Sequence, residues 1–241
     1  MIPLKDDIPS ESFPIVTLTI IGLNCAVFFY QLLLGANNER LISTLGIIPY
    51  ELSHLRDIPP LAPIPLPFTV LTSMFLHGGL AHVGGNMLYL WIFGDNVEDS
   101  MGHMRFAVFY LLCGVAAAIT QIMIAPNSTI PMIGASGAIS GVLGAYLLLF
   151  PQAKVITLIF FGFLIETVRL PAAFFLTFWI VVQFLSGAFS LTAHSISGGV
   201  AWFAHIGGFI AGVVLVSWFK RRRRRFGISR HIDRGDVGRW W

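Results

Sequence analysis

Four polar side chains with chemical potential lie within or at the ends of long apolar stretches: His82, Asn86, Ser136 and His205. Polar groups inside a membrane span are costly and are usually kept for function. A serine hydroxyl becomes a useful nucleophile when a neighbouring base takes its proton, and an imidazole, which titrates near neutral pH, can be that base. These residue types predict nucleophilic catalysis, with Ser136 as the nucleophile and His205 as the general base.

Such a reaction needs donors for the negative charge that develops on the attacked carbonyl oxygen. Ser136 is expected to begin a helix, whose first backbone N–H groups are unpaired and favour negative charge. His82 and Asn86 are four residues apart, share a helix face and can add side-chain donors. Gly134, two residues before the serine, allows the unusual backbone of an oxyanion loop. No acidic residue is expected at this depth, so the site is predicted to be a dyad.

Membrane-spanning helices are the elements that must position these side chains. The 241 residues are 56% hydrophobic and only 11% charged, whereas soluble domains are about 25% charged. A spanning helix needs about 20 apolar residues. Six spans are predicted, over 14–34, 68–93, 106–124, 136–150, 172–191 and 202–219. The predicted fold class is an all-α polytopic membrane protein with a long first outer loop over 35–67.

Basic residues set the predicted orientation. Thirteen of the fifteen Lys and Arg residues fall on the side of the two termini, and only Arg40 and Arg56 fall on the other. Because loops rich in Lys and Arg stay cytoplasmic, both termini are predicted to be cytoplasmic. The chain is divided into a cytoplasmic segment 1–13, a helical domain 14–219 and a basic tail 220–241. The basic run that begins the tail is expected to contact lipid headgroups, and no nucleic-acid partner is expected.

Two connections on the predicted cytoplasmic side carry charge. The segment 154–170 is apolar but contains Glu166 and Arg169, and it is predicted to be an interfacial or re-entrant segment, with a separate short span as the alternative. Asp95, Glu98 and Asp99 follow the predicted second span and are expected to lie in a loop.

The polar residues are predicted to converge at one depth. Ser136 and His205 each lie fourteen residues before the predicted cytoplasmic end of their span, which is about 21 Å at 1.5 Å per residue, and His82 lies at about 18 Å. Small residues follow at four-residue or similar spacing and would let the two helices approach closely. They are Ser140 and Gly144 after Ser136, and Gly208 and Gly212 after His205.

Three motifs resemble the rhomboid family of intramembrane serine proteases. They are Gly134-Ala-Ser136-Gly, Ala204-His205-Ile-Gly-Gly with Gly212, and His77-x4-His82-x3-Asn86, within a resemblance that covers about residues 14–219. The resemblance implies a six-transmembrane-helix rhomboid core, with Ser136 as nucleophile, His205 as base, and an oxyanion held by His82, Asn86 and the Ser136 backbone N–H. It implies transmembrane protein substrates cut near their outer ends, and no metal or cofactor. We expect a multi-pass protein of a prokaryotic cytoplasmic membrane.

The sequence departs from the family pattern at two points. Many members carry an aromatic residue four positions after the nucleophile, packed on the histidine, and here that position is Ser140. The Trp-Arg pair of the first outer loop in well-known members is also absent.

Other classes of function fit the residues less well. A non-catalytic rhomboid-like protein that binds or escorts membrane helices would lack the serine or the histidine, and this chain has both. A transporter or channel would show inverted repeats or broken helices with ion ligands, and a zinc metalloprotease would show HExxH. The sequence contains neither pattern.

Overall fold

Long apolar helices make up most of the chain, because a segment in lipid must satisfy its backbone hydrogen bonds internally. The computed structural model describes residues 1–161, 164–192 and 200–221. Within them, the helices are α1 (Ile15–Leu33), α2 (Asn38–Leu45), α3 (Pro49–His54), α4 (Thr69–Thr72), α5 (Leu80–Met101), α6 (His103–Ile124), α7 (Ser136–Leu149), α8 (Ala172–Thr192) and α9 (Trp202–Phe219). The strands are β1 (Ile2–Asp6), β2 (Lys154–Phe161) and β3 (Leu164–Pro171).

Four helices in the described residues are long and apolar enough to cross a membrane: α1, α6, α8 and α9. The short helical segment 66–75 and α5 form a bent pair, which raises the number to five if the pair is one span. The 14-residue α7 is apolar but shorter, since 14 residues rise only about 21 Å. The predicted helical, polytopic class is confirmed, and the count of six spans stays a prediction.

The second predicted span differs from a single helix over 68–93. The segment 66–75 meets α5 at 83°. It ends at Leu76, whose backbone is extended, and the chain passes through Gly79, also extended, before α5 begins. The helix α5 then continues to Met101, beyond the predicted end. The prediction of one uninterrupted helix over 68–93 was wrong, because apolar composition continues through the break before Leu80 and so gives no sign of it.

A three-stranded antiparallel sheet closes one end of the bundle. The segment 154–170, expected to be interfacial or re-entrant, forms the hairpin β2–β3, and β1 pairs with the other edge of β2 in the order β1-β2-β3. Its β-branched and aromatic residues favour strand. The pairing of Ile2 with Leu158 and of Asp6 with Val155 attaches the segment 1–13 to the helical domain. This end of the bundle is called the sheet end below, and the opposite end the serine end.

The acidic residues after the predicted second span lie in the last turns of α5, so the prediction of an acidic loop was wrong. Glu98 is fully buried and accepts hydrogen bonds from the backbone N–H groups of Val16 (3.0 Å) and Thr17 (2.8 Å) and from the Thr17 hydroxyl (2.7 Å). A carboxylate at this position satisfies the unpaired N–H groups that begin α1 and complements the helix dipole. These partners are about 80 residues away along the chain, which local composition could not indicate.

Asp6 is buried between the sheet and the bundle. Its carboxylate accepts hydrogen bonds from the Tyr146 hydroxyl (2.5 Å) on α7 and the Asn96 amide (2.9 Å) on α5. Burial raises the pKa of Asp6 from 3.8 to about 6, and the hydrogen bond from Tyr146 opposes that rise. A raised carboxyl pKa means that this group's contribution to stability is complete below about pH 4 and is lost as the pH rises through about 6.

Asp6→Asn is therefore expected to gain stability relative to the native protein as the pH is raised from 4.5 to 7.5. The expected gain is about 1–3 kcal/mol, because one pKa unit corresponds to about 1.4 kcal/mol and the interval from pH 4.5 to 7.5 covers most of the rise in the pKa of Asp6. Thermal unfolding of both proteins in detergent at the two pH values measures the gain. A difference in stability that does not change with pH would contradict the expectation.

Candidate active site

Close packing of α7 against α9 brings Ser136 and His205 together. Glycines make the approach possible: a methyl group added at Gly208 would collide with the carbonyl of Gly137, and one added at Gly212 with the carbonyl of Gly141. On α7, a methyl group at Gly144 would collide with the carbonyl of Phe209. Small residues let two backbones touch in this way. The helices cross with no side chain between them at these points.

A hydrogen bond between Ser136 and His205 joins the two helices at this crossing. Ser136 is the first residue of α7, and its Oγ lies 2.8 Å from Nε2 of His205, in the first turn of α9. The other ring nitrogen of His205, Nδ1, lies 2.8 Å from Oε1 of Gln183 on α8. An amide oxygen only accepts, so Nδ1 carries the proton and Nε2 accepts from the serine hydroxyl. This arrangement allows the imidazole to take a proton from Ser136.

Aromatic rings from outside α7 hold the imidazole. The ring centroid of Trp179 on α8 lies 5.9 Å from that of His205, and Trp202 approaches edge-on at 6.3 Å. Ser140 instead donates its hydroxyl proton to the carbonyl of Ser136 at 2.6 Å. The aromatic side chains beside the imidazole therefore come from α8 and α9, and not from the position of Ser140 on α7.

His82 and Gly134 meet beside the serine. His82 Nδ1 accepts from the backbone N–H of Gly78 at 3.3 Å, which leaves the proton on Nε2. Gly134 has φ of +119°, and a methyl group added there would come within 2.7 Å of that Nε2. The loop is held by a hydrogen bond from the Gly134 N–H to the carbonyl of Ser73 at 2.8 Å. A glycine is needed here because the conformation and the space both exclude a side chain.

Asn86 lies one turn after His82 on α5 and is oriented from behind. Its Nδ2 lies 3.0 Å from Nε2 of His77, so one of its two N–H groups is used there and the other is free to face the cavity. The backbone of fully buried His77 is fixed in turn by Gln31 on α1, which accepts from its N–H at 2.9 Å and donates to its carbonyl at 3.1 Å. Asn86 is therefore held in one orientation.

A cavity of about 830 Å³ joins these groups at the serine end. Its lining includes Ser136, His205, His82 and Asn86, together with apolar and aromatic side chains such as Trp179. Ser136 and His82 are only half-buried, so they remain accessible from the cavity. A mostly apolar cavity of this size with a few convergent polar groups is typical of a ligand site.

Two residues important to this geometry, Gln183 and Gln31, were not among the predicted site residues. Each is a buried amide within an apolar helix. The rule that selected His82 and Asn86, a polar side chain inside a span, would have selected both.

Comparison with known proteins agrees with this architecture. Residues 67–222 match the sequence model of the Rhomboid domain. The mitochondrial Rhomboid protein 1 of Saccharomyces cerevisiae is 28% identical over 183 residues, which cover 72% of this chain and 47% of that protein. Rhomboid protease GluP of Bacillus subtilis is 44% identical over 78 residues (32% of this chain, 15% of GluP). Rhomboid protease AarA of Providencia stuartii is 29% identical over 146 residues (54% of this chain, 49% of AarA).

The helical bundle and its apolar surface define a multi-pass membrane protein. The Rhomboid domain matches well over half of the length of this chain, so the chain belongs to the rhomboid family. The chain spans about half, or less, of the length of these three relatives.

Proposed function

We propose that the chain is an intramembrane serine endopeptidase that cleaves transmembrane protein substrates near their outer ends. The distance of 2.8 Å between Ser136 Oγ and His205 Nε2, at the edge of the cavity, is the observation that carries the proposal. A nucleophile and base within hydrogen-bond reach are the signature of activated-serine chemistry. Two relatives bear the name rhomboid protease, which supports the same activity.

The first chemical step is attack on the peptide carbonyl. His205 Nε2 takes the proton of the Ser136 hydroxyl as Oγ bonds to the carbonyl carbon, and the carbonyl oxygen becomes an oxyanion. Donors around it are the Nε2–H of His82, the free N–H of Asn86 and the backbone N–H of Ser136 at the start of α7. Fixed donors of this kind stabilise the charge without having to reorganise.

The second step divides the peptide. The imidazolium of His205 returns its proton to the leaving amine, the C–N bond breaks, and the substrate's carboxyl fragment stays on Ser136 as an ester. Water then attacks the ester with His205 again as base, releasing the acid and restoring the serine. Every proton passes through Nε2, so the ring must keep its proton on Nδ1 throughout.

The charges of the described residues support the proposed orientation. Lys5, Arg105, Lys154 and Arg169 belong to the sheet end, and Arg40 and Arg56 belong to the serine end. Basic residues stay cytoplasmic, so the sheet end faces the cytoplasm and the cavity is near the outer surface. We propose a prokaryotic cytoplasmic membrane, although named relatives include mitochondrial and chloroplastic proteins.

Cleavage of a labelled transmembrane peptide by the purified full chain in liposomes tests the proposal. Mass spectrometry of the products is expected to locate one cut near the outer end of the peptide's apolar segment. No cleavage, together with no labelling of Ser136 by a fluorophosphonate, would reject an enzyme and favour a protein that only binds or escorts membrane helices.

Asn86→Ala is expected to lower kcat by about 10- to 100-fold with little change in KM. Its loss removes one oxyanion donor, which typically costs up to about 10³-fold, while His82 and the Ser136 N–H remain. Steady-state rates in the same liposomes measure the effect. Activity as low as that of a Ser136→Ala variant would contradict a shared donor set.

A further inference from the structure

The imidazole of His205 is held from the side opposite Ser136. Gln183 Oε1 lies 2.8 Å from His205 Nδ1, and the two side chains are 7% and 9% exposed. A buried hydrogen bond of this length restricts both side chains. Gln183 therefore fixes both the plane of the ring and the position of its proton.

The position of that proton decides whether His205 can act as a base. A neutral imidazole has one N–H and one lone pair. With the proton on Nδ1, the lone pair of Nε2 faces the Ser136 hydroxyl. With the proton on Nε2, the O–H of Ser136 and the Nε2–H of His205 would both be donors facing each other. The imidazole could then not take the serine proton.

The helix α8 supplies two contacts to the ring from one face. Trp179 and Gln183 are one turn apart, the first with its ring centroid 5.9 Å from that of His205 and the second bonded to Nδ1. Residues four apart share a helix face. Trp179 supplies an aromatic ring beside the imidazole, which Ser140 cannot give. Gln183 supplies the hydrogen-bond acceptor for Nδ1, which an acid supplies in a catalytic triad.

We propose that Gln183 is a positioning residue, the third member of a Ser136–His205–Gln183 chain of hydrogen bonds. It accepts from Nδ1 and so holds His205 in the tautomer that can take the serine proton. The proposal rests on the serine endopeptidase function proposed above. A neutral amide suits this place because a lone carboxylate inside a membrane helix is costly. It gives orientation without a buried charge.

The test compares variants of the full chain in liposomes with the labelled transmembrane peptide. Gln183→Met keeps the approximate length and shape of the side chain but replaces the amide oxygen by a methyl group, which leaves only the weak sulfur acceptor. Its kcat is expected to fall about 10- to 10³-fold with KM within twofold, because a misplaced histidine proton costs up to about 10⁴-fold in a serine–histidine site. Gln183→Leu serves if the methionine variant unfolds, as judged by thermal unfolding in detergent.

Gln183→Glu separates orientation from packing. A carboxyl group, ionised or not, still offers an oxygen to Nδ1, so this variant is expected to be at least 10-fold more active than Gln183→Met. A purely structural role predicts the reverse order, because methionine is the better side chain in an apolar helix. His82 and Tyr89, the titratable side chains that line the cavity together with His205, are unchanged in each variant.

Phe184→Leu is the matched control. Phe184 is the next residue after Gln183 on α8, but it is 59% exposed on the outside of the bundle. This variant is expected to cleave like the wild type. Two results would overturn the positioning role while leaving the proposed protease activity intact. They are a wild-type cleavage rate in Gln183→Met, or a rate in Gln183→Glu that is no higher than in Gln183→Met. Absence of both cleavage and fluorophosphonate labelling in the wild type would instead reject the function itself.

Discussion

Ser136→Ala is expected to abolish cleavage, with a loss of at least about 10⁴-fold, while the fold persists. The Oγ atom that would form the ester is removed, and knocking out the nucleophile of a serine hydrolase usually costs this much or more. Alanine keeps the start of α7 helical, and the side chain lost makes one hydrogen bond, to His205. His205→Ala should lose nearly as much, because serine and histidine act as a unit.

The measurement is the release of peptide fragments in liposomes, followed by mass spectrometry, together with fluorophosphonate labelling of the serine. Ser217→Ala is the control, since that serine is exposed on α9 at the sheet end and donates only to the carbonyl of Val214. This variant should cleave the peptide, and be labelled by the fluorophosphonate, like the wild type. Cleavage that persists in Ser136→Ala would point to another nucleophile or a contaminating protease.

Gly212→Val is expected to lower stability by about 3 kcal/mol or more and to inactivate the protein. A side chain at Gly212 meets the backbone of Gly141, so α9 must move away from α7. Overpacking a tight contact typically costs about 1–3 kcal/mol, and more where backbone has to move. Because α7 carries Ser136 and α9 carries His205, the same movement lengthens the distance between nucleophile and base.

Gly22→Val on α1 provides the comparison. An added side-chain carbon at Gly22 meets no atom within 4 Å, so the same substitution in another apolar helix should leave thermal stability and cleavage near the wild-type values. Thermal unfolding in detergent and the liposome assay report both properties. Equal behaviour of the two variants would mean that the α7–α9 contact is not the tight interface inferred from the glycines.

Membrane class and the main helices could be predicted from the sequence because they depend on local composition. A helix in lipid must satisfy its own backbone, so each long apolar stretch indicates its own structure. The spans 172–191 and 202–219 agree with α8 and α9 almost to the residue. Ser136 and His205 could be selected as a pair because equal depth in neighbouring helices is a matter of counting residues, although their roles remain a proposal.

The sheet and the position of the acidic residues could not be predicted in this way. The strand β1 pairs with β2 some 150 residues later, and nothing within 1–13 specifies that partner. Glu98 is buried because the N-terminus of α1 supplies donors from about 80 residues away. Such pairings join distant segments, so local composition does not contain them.

The site shows the same division. The order of residues specifies which polar side chains lie within apolar helices and where glycine stripes allow two helices to touch. Which nitrogen of His205 faces Ser136 follows from packing, because it depends on Gln183 from a third helix. Residue types are a local property of the chain, whereas the direction of a hydrogen bond depends on the elements that pack around it.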